Sequence, residues 1–565
     1  MISIRTILDE IYKHKKVLIY ANLVAILSTV LIIPVPLLIP LLIDEIILGK
    51  GGTVTQTIDL YLTIGSPEYY ILTVLLITLF LKAISLLLNL LHIRLFTKVS
   101  KEVTYAIRKK LLNHLQTVSM SEYDMLGSGA VSAKVITDVD TVDKFVASSV
   151  GEIVVEALTL ISISAVILYL NWQLALVILL LNPLAMAFYL NIFRKVAKIK
   201  KQENKAIEIF QNTLTESLEL YNQIRVQNRE AYFLNDVDEK AREIRDKGYQ
   251  FGLKSEMALE FSRMLIMYSH DIFRATGILM VFLGLLTIGK MLAIFAYAWI
   301  IMRPVDKLMN FVHLYFNAKT SIERLNEILE LHAEPKYEAK VNPFKGEKTA
   351  SIRLENLSFS YDGKVDVLKN INLEIHAGEK VAIIGQTGSG KSTLAQILIG
   401  LYPISSGNIY YNEHEIREIG YDKIRENVGF VLQSPLMFNN SLRFNLTLGK
   451  TYEDKRIYEV LKIAQLYAFV DGLDEKLDTI VGKNGTKLSG GQKQRLSIAR
   501  VLLDDPKVII FDESTSSLDN ETEDKLLEAL ESHIADKTII TIAHRRNSIE
   551  KAERVIDLSL LNNRV

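Results

Sequence analysis

Residues 1–318 hold nearly all the long apolar runs of the chain, and polar segments separate these runs. A helix needs about 20 consecutive apolar residues to cross the hydrocarbon core of a bilayer, so each run of that length predicts a membrane span. Six runs qualify, at residues 17–48, 69–96, 150–170, 173–193, 262–286 and 291–312. The first run is too long for the apolar part of a signal peptide, so we expect it to remain as span one.

The polar segments between the runs differ in charge. Those after spans one, three and five are short and almost free of basic residues, whereas the others are rich in Lys and Arg, as at Lys15, Lys16 and Lys109. Basic residues near spans are enriched on the cytoplasmic side of a membrane. The pattern therefore predicts that both termini are cytoplasmic.

Two of the cytoplasmic segments, residues 98–147 and 194–263, are too long for turns and keep a helical spacing of apolar residues. They predict helices prolonged beyond the bilayer. Each pair of helices should reverse direction once, near residues 127–129 and near residues 221–223.

The pattern changes at about Ala350 to short runs rich in β-branched residues that alternate with helical stretches. The runs lie at residues 351–354, 380–384, 428–432, 508–511 and 538–542. Such alternation is typical of an α/β domain with a largely parallel sheet. A charged segment with Pro335 and Pro343 precedes it, so we expect a transmembrane domain at 1–318, a linker at 319–348 and a nucleotide-binding domain at 349–565.

Composition narrows the possible functions. The 565 residues include 65 basic and 65 acidic side chains, so no global charge attracts nucleic acid or anionic lipid. With 49% hydrophobic residues, 28 Gly and 11 Pro, the chain is neither disordered nor collagen-like. It has 0 Cys, which excludes disulfides, thiolate metal sites and a cysteine nucleophile.

A glycine-rich loop follows the apolar strand at residues 381–384 and precedes a helix. Its residues are Gly385, Gln386, Thr387, Gly388, Ser389, Gly390, Lys391, Ser392 and Thr393. In this P-loop context, backbone N–H groups and the helix N-terminus bind the phosphates of ATP. We expect Lys391 to reach the β- and γ-phosphates and Ser392 to ligate Mg²⁺. An ordinary glycine-rich turn does not explain why strand, spacing, Lys and Ser all agree.

Two carboxylates, Asp512 and Glu513, end a second apolar strand. Alone, they are as well explained as solvated acids. Beside a P-loop, Asp512 is expected to hold Mg²⁺ through water, and Glu513 to polarise or deprotonate the water that attacks ATP.

A second glycine-rich helix start follows Leu488 and consists of Ser489, Gly490, Gly491 and Gln492. It predicts another anion-binding site at a helix N-terminus. One chain then has two phosphate-binding segments: the P-loop and residues 489–492, called the Ser489 segment. The simplest joint use is across a dimer, where this segment of one subunit closes on the γ-phosphate held by the P-loop of the other.

With these motifs the C-terminal half resembles an ATP-binding cassette (ABC), and the whole chain resembles a half-size ABC exporter. The resemblance implies that Tyr361 stacks on adenine and that Gln433 touches Mg²⁺ and the attacking water. It also implies that Ser517 and Asp519 belong to the D-loop, and that His544 contacts the γ-phosphate. Singly and without the resemblance, Tyr361, Gln433 and His544 are better explained as a core aromatic, a solvated amide and a capped histidine. Their ordered spacing favours the functional roles.

The membrane half adds softer matches, which resemble the first coupling loop and the turn between spans three and four. They are Tyr123, Asp124, Gly129, Asp138, Asp140 and residues 172–174. One segment departs from the family: residues 479–485 lack the two acidic residues that such exporters often carry before the signature.

The cargo is the least constrained property. Charged residues enter the bilayer on spans two, five and six: Lys82, Arg263, His270, Asp271, Arg274 and Arg303. Charge at that depth is costly in lipid, so these residues should face an internal cavity. Two interpretations stay open. Asp271 and Arg274 pair within their helix, or a basic cavity receives an anionic amphiphile such as a phospholipid, a lipid-linked saccharide or an acidic peptide.

We therefore expect an ATP-driven exporter that works by alternating access, with a multidrug exporter or an ATP-gated channel or regulator as alternatives. No motif is degenerate, which favours a homodimer over a heterodimer. The expected partners are a second half-transporter, membrane lipid and the transported substrate, but no nucleic acid. The expected location is a bacterial inner membrane, with the cassette in the cytoplasm.

Overall fold

The computed structural model describes residues 1–49, 52–60, 66–147, 151–361, 363–513, 518–543 and 549–562. It forms two compact units. The first comprises Met1–Leu111 and Ala133–Glu327, and the second comprises Leu112–Ser132 and Ile328–Val565. A short piece between the second and third predicted spans thus belongs with the nucleotide-binding half.

Helices make up the chain before residue 330. They are α1 (Ile4–Lys13), α2 (Lys15–Ile32), α3 (Val35–Leu42), α4 (Thr53–Asp59), α5 (Pro67–Leu115), α6 (Met120–Leu126), α7 (Ser128–Ala133), α8 (Val139–Phe145), α9 (Gly151–Leu170), α10 (Trp172–Glu219), α11 (Tyr221–Val226), α12 (Glu230–Phe282), α13 (Ile288–Ile300) and α14 (Met302–Leu329). Single π-helical turns lie at Ile43–Ile47 and Lys134–Asp138.

Within the residues searched, five helical segments are long and apolar enough to cross a membrane: Lys15–Ile47, Pro67–Leu115, Glu152–Leu170, Glu230–Phe282 and Ile288–Leu329. The remaining expected span, at residues 173–193, falls within α10, and several side chains of that stretch lie outside the description. Residue 150, the expected start of span three, also lies outside the described residues. The predicted helical bundle is confirmed.

Span one is interrupted because Pro34 cannot donate a backbone hydrogen bond. Helix α2 stops at Ile32 and α3 begins at Val35. The Tyr297 hydroxyl of α13 donates to the carbonyl of Ile33 at this break. Tyr297 belongs to a buried apolar cluster with Phe273 and residues of α9 and α10, so the interruption is stabilised by packing as well as by a hydrogen bond.

The helices continue beyond the apolar runs, as predicted. Helix α5 continues to Leu115 and α10 to Glu219, and α12 begins at Glu230. Helix α6 ends at Gly127, whose φ of 76° suits a glycine, and the short helix α11 forms the second reversal. Both predicted reversal points are confirmed.

A buried carboxylate that the sequence analysis did not single out joins two of these extensions. Asp143 of α8 accepts hydrogen bonds from Ser100 at 2.7 Å and Thr104 at 2.8 Å, both on α5. Lys101 pairs with it at 2.5 Å. A buried charge with three such partners is satisfied, so it fixes α8 on α5.

Two sheets form the framework of the second unit. The strands are β1 (Ile352–Phe359), β2 (Leu368–Ile375), β3 (Lys380–Ile384), β4 (Ser406–Tyr411), β5 (His414–Glu415), β6 (Val428–Val431), β7 (Val508–Asp512), β8 (Thr538–Ile542) and β9 (Arg554–Asp557). The parallel sheet has the order β6-β7-β8-β3-β9 and confirms the α/β prediction. The antiparallel sheet β2-β1-β4-β5 was not predicted as a separate layer.

Helices cover the parallel sheet. They are α15 (Lys391–Leu398), α16 (Ile416–Ile419), α17 (Tyr421–Asn427), α18 (Leu442–Thr447), α19 (Asp454–Ile463), α20 (Tyr467–Asp471), α21 (Gly490–Leu503), α22 (Asn520–His533) and α23 (Leu558–Leu561). One buried cluster joins β3 and α15 to the antiparallel sheet, and another joins β7 to α19, α21 and α22. The carboxyl ends of β3 and β7 are thereby held rigidly, and the candidate functional residues follow them.

Candidate functional site

The P-loop is formed by glycines in conformations that other residues rarely adopt. Gly388 and Gly390 have φ values of 82° and 93°. A Cβ atom on Gly390 would lie 2.7 Å from a methyl carbon of Leu368. The loop therefore requires glycine for conformation and for space, and it brings its backbone close to the start of α15.

Lys391 lies at the start of α15 and is only 7% exposed. Its ammonium group donates to the carbonyls of Gly385 at 2.9 Å and Gln386 at 3.1 Å, so the side chain folds back over its own loop. The hydroxyl oxygen of Ser389 is buried and has no hydrogen-bond partner among the described residues. A buried cation beside an unpaired hydroxyl group fits the phosphates of a nucleotide.

The residues that follow β3 and those that end β7 lie close together, as expected. Ser392 Oγ donates to Asp512 Oδ1 at 3.2 Å, although β8 lies between β3 and β7 in the sheet. Asp512 is 5% exposed. No group of three His, Cys, Asp or Glu side chains able to hold a metal is found in the described part of the chain. Hydroxyl and carboxylate oxygens, completed by phosphate oxygens, are nevertheless ligands that Mg²⁺ prefers, so this pair fits the ion.

Glu513 and Gln433 also come together. The Gln433 side-chain amide donates to Glu513 Oε2 at 2.6 Å. Glu513 has a φ of 45°, and its N–H donates to the Ile542 carbonyl at 3.3 Å. A left-handed backbone at a non-glycine residue is a strained conformation, and such residues cluster at functional sites.

Gln494 of α21 is 2% exposed and was not predicted as a site residue. Its amide donates to the Gln433 carbonyl at 3.3 Å. Helix α21 is the helix that follows the Ser489 segment, so this contact joins the two motif regions within one subunit. A glutamine inside a helix has no spacing signal that would reveal such a contact.

Tyr361 and Asp519 are placed by neighbouring elements. The Tyr361 hydroxyl lies 3.0 Å from the Thr393 hydroxyl on α15, and Tyr361 as a whole is 43% exposed. Asp519 caps α22 by accepting from the Thr522 N–H at 2.9 Å, and this hydrogen bond holds the pKa of the Asp519 carboxyl below its usual range. Ser517 and His544 lie outside the described residues.

The Ser489 segment forms a capping box at the start of α21. Ser489 Oγ accepts from the Gln492 N–H at 3.2 Å, and Gln492 Oε1 accepts from the Ser489 N–H at 2.8 Å. Gly490 and Gly491 occupy the first turn of the helix between them. Two of the predicted ligand residues thus satisfy each other, and the anion site at this helix start stays a prediction.

The charged residues of the membrane unit have mostly local partners. Arg263 pairs with Glu260 at 2.5 Å, and Arg274 lies 3.9 Å from Asp271. The His270 ring makes an edge contact with Trp299 at 5.0 Å, and its Nε2 is buried without a hydrogen-bond partner in the described residues. Asp271 and Arg274 are therefore within ion-pair distance, as the interpretation that they pair within their helix requires.

Span six has acidic neighbours that the sequence analysis missed. Lys307 pairs with Glu152 of α9 at 2.6 Å, and Arg303 acts electrostatically on Glu156, one turn further along α9. Both the acids and the bases are four residues apart, but such spacing indicates pairing only within one helix, so it did not reveal this contact. Within the described residues, Lys82 and Arg303 have no ion-pair partner.

Fold and site together define a membrane-embedded P-loop ATPase, and comparison with known proteins agrees. Residues 18–305 match the family model of the ABC transporter transmembrane region, and residues 368–516 match that of the ABC transporter. The chain belongs to the ABC transporter family, as a half-size exporter.

Individual relatives span most of the chain. The Bacillus subtilis protein YgaD, named for multidrug export, is 30% identical over 96% of this chain and 92% of its own length. An ATP-dependent lipid A-core flippase of Syntrophus aciditrophicus is 30% identical over 82% of this chain and 77% of its own. A bacterial Atm1-family ABC exporter with ATP bound has the same fold, with a TM-score of 0.81 at 22% identity, covering 96% of this chain and 94% of that one.

Three properties follow from family membership. The protein binds ATP, it is an ATPase coupled to transport, and it is a multi-pass membrane protein.

Proposed function

We propose that two copies of this chain form the transporter and that their cassettes close on two ATP molecules during alternating access. One chain contains one membrane half and one cassette, and its P-loop and Ser489 segment lie on separate helices. If the partner's Ser489 segment completes each P-loop, both phosphate-binding segments of each chain are used. We also propose the domain limits 1–318, 319–348 and 349–565, and a bacterial inner membrane with the cassettes in the cytoplasm.

ATP binding is assigned to the residues that surround the P-loop. Tyr361 stacks on adenine, and the P-loop N–H groups with Lys391 bind the phosphates. Lys391 exchanges its two loop carbonyls for phosphate oxygens, which are stronger acceptors. The partner subunit binds the γ-phosphate through its Ser489 segment, which consists of Ser489, Gly490, Gly491 and Gln492. Asp519 orders the D-loop, which lies between the two subunits.

Hydrolysis is assigned to Glu513, and the Gln433–Glu513 hydrogen bond is the observation that carries it. Glu513 orients the attacking water and accepts its proton, while Gln433 holds the carboxylate in place. His544 contacts the γ-phosphate, by its match to the family motif. Ser392, Asp512 and Gln433 would hold Mg²⁺, which neutralises phosphate charge when bound.

The cargo we propose is an amphiphile with an anionic head group. Lys82 and Arg303 have no partner at ion-pair distance among the described residues, although Arg303 acts electrostatically on Glu156. Lys307 and Arg274 lie within ion-pair distance of an acid. Relatives named as lipid A-core flippases support a lipid cargo, and YgaD supports the alternative of multidrug export.

The transport test uses inside-out vesicles that contain the purified full chain. We expect ATP-dependent uptake of a labelled anionic phospholipid and no ATP-gated ion current. A current without uptake identifies a channel or regulator instead.

The cargo class is tested by ATPase stimulation with a series of anionic lipids and with hydrophobic cations. Arg303→Ala should weaken stimulation by the lipids, and Arg274→Ala should weaken it less because Asp271 lies nearby. Arg245→Ala, on an exposed part of α12 beside Asp246, is the matched control. Preference for the cations, or no change in Arg303→Ala, contradicts the anionic cargo.

A further inference from the structure

Three aromatic rings pack together beside the P-loop. The Tyr361 ring contacts Phe359 at 4.9 Å and Tyr402 at 5.3 Å between ring centres, both in edge-to-face geometry. Phe359 and Tyr402 lie 5.8 Å apart. Tyr361 is half-exposed, but Phe359 and Tyr402 are buried, so the two buried rings define where the exposed ring stands.

The hydroxyl end of Tyr402 contacts α6, the helix of the first coupling loop, called the coupling helix below. Its hydroxyl donates to Asp124 Oδ2 of α6 at 2.7 Å. Burial, and then this hydrogen bond, raise the pKa of the Tyr402 hydroxyl, so it stays a protonated donor at neutral pH. A single side chain thus touches both the coupling helix and Tyr361.

Helix α6 has a second set of contacts in the same unit, and these do not involve Tyr402. The Ser119 N–H donates to the His332 carbonyl at 3.0 Å, and the Glu334 N–H donates to the Thr117 carbonyl at 2.7 Å. Glu122 lies 2.6 Å from the His332 ring. The segment is therefore anchored at its start by backbone pairing, whereas Asp124 near its end is tied to Tyr402.

We propose that Tyr402 is a positioning residue that connects the coupling helix α6 to the adenine platform of Tyr361. The Asp124 hydrogen bond fixes the Tyr402 ring, and the ring fixes Tyr361, whose hydroxyl is in turn 3.0 Å from Thr393 of α15. Displacement of α6 then changes how well adenine is bound. This inference rests on the proposed role of Tyr361, and it adds a route by which the membrane half tunes ATP affinity.

The experiment measures ATPase kinetics of the full chain in nanodiscs of phosphatidylethanolamine and phosphatidylglycerol. Tyr402→Phe keeps the ring, and Asp124→Leu keeps a side chain of similar size without an oxygen that accepts the hydrogen bond. Each should raise the KM for ATP by about three- to tenfold, the effect of one hydrogen bond, with kcat changed less than twofold. The double variant should equal either single variant, because both remove the same contact. Inhibition by inorganic tripolyphosphate, which has no adenine, should not change.

Two controls separate positioning from general anchoring. Glu122→Leu removes another side-chain contact of α6 and should leave the KM unchanged. In a Tyr361→Leu background, Asp124→Leu should no longer raise the KM. Unchanged KM values in both Tyr402→Phe and Asp124→Leu, or an equal loss of tripolyphosphate inhibition, overturn the inference. A parent protein without ATPase activity contradicts the proposed function instead, and an unchanged KM in Tyr361→Leu contradicts the adenine role on which the inference rests.

Discussion

The chain contains two glycine-rich helix starts, and they are built differently. At α15 the cap residue is Gly390 in a left-handed conformation, and no side chain caps the helix among the residues described. At α21 the cap is Ser489, which forms a reciprocal box with Gln492. Free backbone N–H groups at a helix N-terminus bind anions, so α15 offers more of them than α21.

The difference separates two tasks that look alike in sequence. The P-loop has a buried lysine and an unpaired serine hydroxyl, whereas the Ser489 segment satisfies its own polar groups. A structure that satisfies itself is stable without an anion and needs only to approach one. This division suits the role proposed for the Ser489 segment, which would leave and rejoin the nucleotide in each cycle.

The largest expected effect tests whether ATP hydrolysis depends on Glu513, which belongs to the P-loop side of this comparison. Glu513→Gln should keep ATP binding but lower turnover by ~10²–10⁴-fold, the usual contribution of a positioned general base. The amide cannot accept a proton from the attacking water. Steady-state ATPase assays and retention of labelled ATP measure the two parts. Glu521→Gln, on α22, is the control, and turnover of Glu513→Gln within twofold of the parent contradicts the assigned role.

The next effect separates the two helix starts by charge. Lys391→Ala should weaken ATP binding by roughly 10- to 150-fold, because hydrogen bonds to charged groups contribute ~1.5–3 kcal/mol. Lys487→Ala removes an exposed charge two residues before Ser489 and should leave binding unchanged. Equilibrium binding of a fluorescent ATP analogue measures both variants. Equal losses would show that charge, rather than the position of Lys391, determines affinity.

These contrasts also show which features a sequence can predict. The P-loop was predictable because strand, glycines, Lys391 and helix follow one another along the chain. The pairing of Gln494 with Gln433, or of Tyr402 with Asp124, joins residues far apart in sequence, and no local period marks it. The antiparallel sheet was missed for the same reason, since its strand order depends on pairing between distant segments.

The membrane half shows the same limit. Periodicity predicted the long helices, because each is a continuous apolar or amphipathic run. It did not predict that Glu152 would pair with Lys307, since the two residues lie on different spans. The basic excess that the charges alone predict is therefore reduced by an acidic partner on another span.

A smaller effect tests the backbone conformation at the N-termini of α15 and α21. Gly390→Ala should destabilise the protein by about 1–3 kcal/mol, because a side chain is strained at this φ. The new methyl group would also meet Leu368. Gly490→Ala should not destabilise it, since alanine favours a helix. Thermal unfolding of the full chain in detergent compares the two variants, and equal midpoints would remove the distinction.

The smallest expected effect concerns Ser489. Ser489→Ala removes the cap and should cost about 1 kcal/mol of stability, while Ser489→Asp should keep it, because both Ser and Asp accept the N–H hydrogen bond. The aspartate, however, places negative charge where the partner's γ-phosphate is expected.

Stability and activity should therefore separate in these two variants. Ser489→Ala should lower the thermal midpoint, whereas Ser489→Asp should keep the parent's midpoint and lose most ATPase turnover through repulsion of the phosphate. ATP binding at the P-loop of the isolated subunit should be unchanged in both, because that site lies on α15. Full turnover in Ser489→Asp would show that the start of α21 is a capped helix and not an anion site, and the two glycine-rich starts would then share only their sequence.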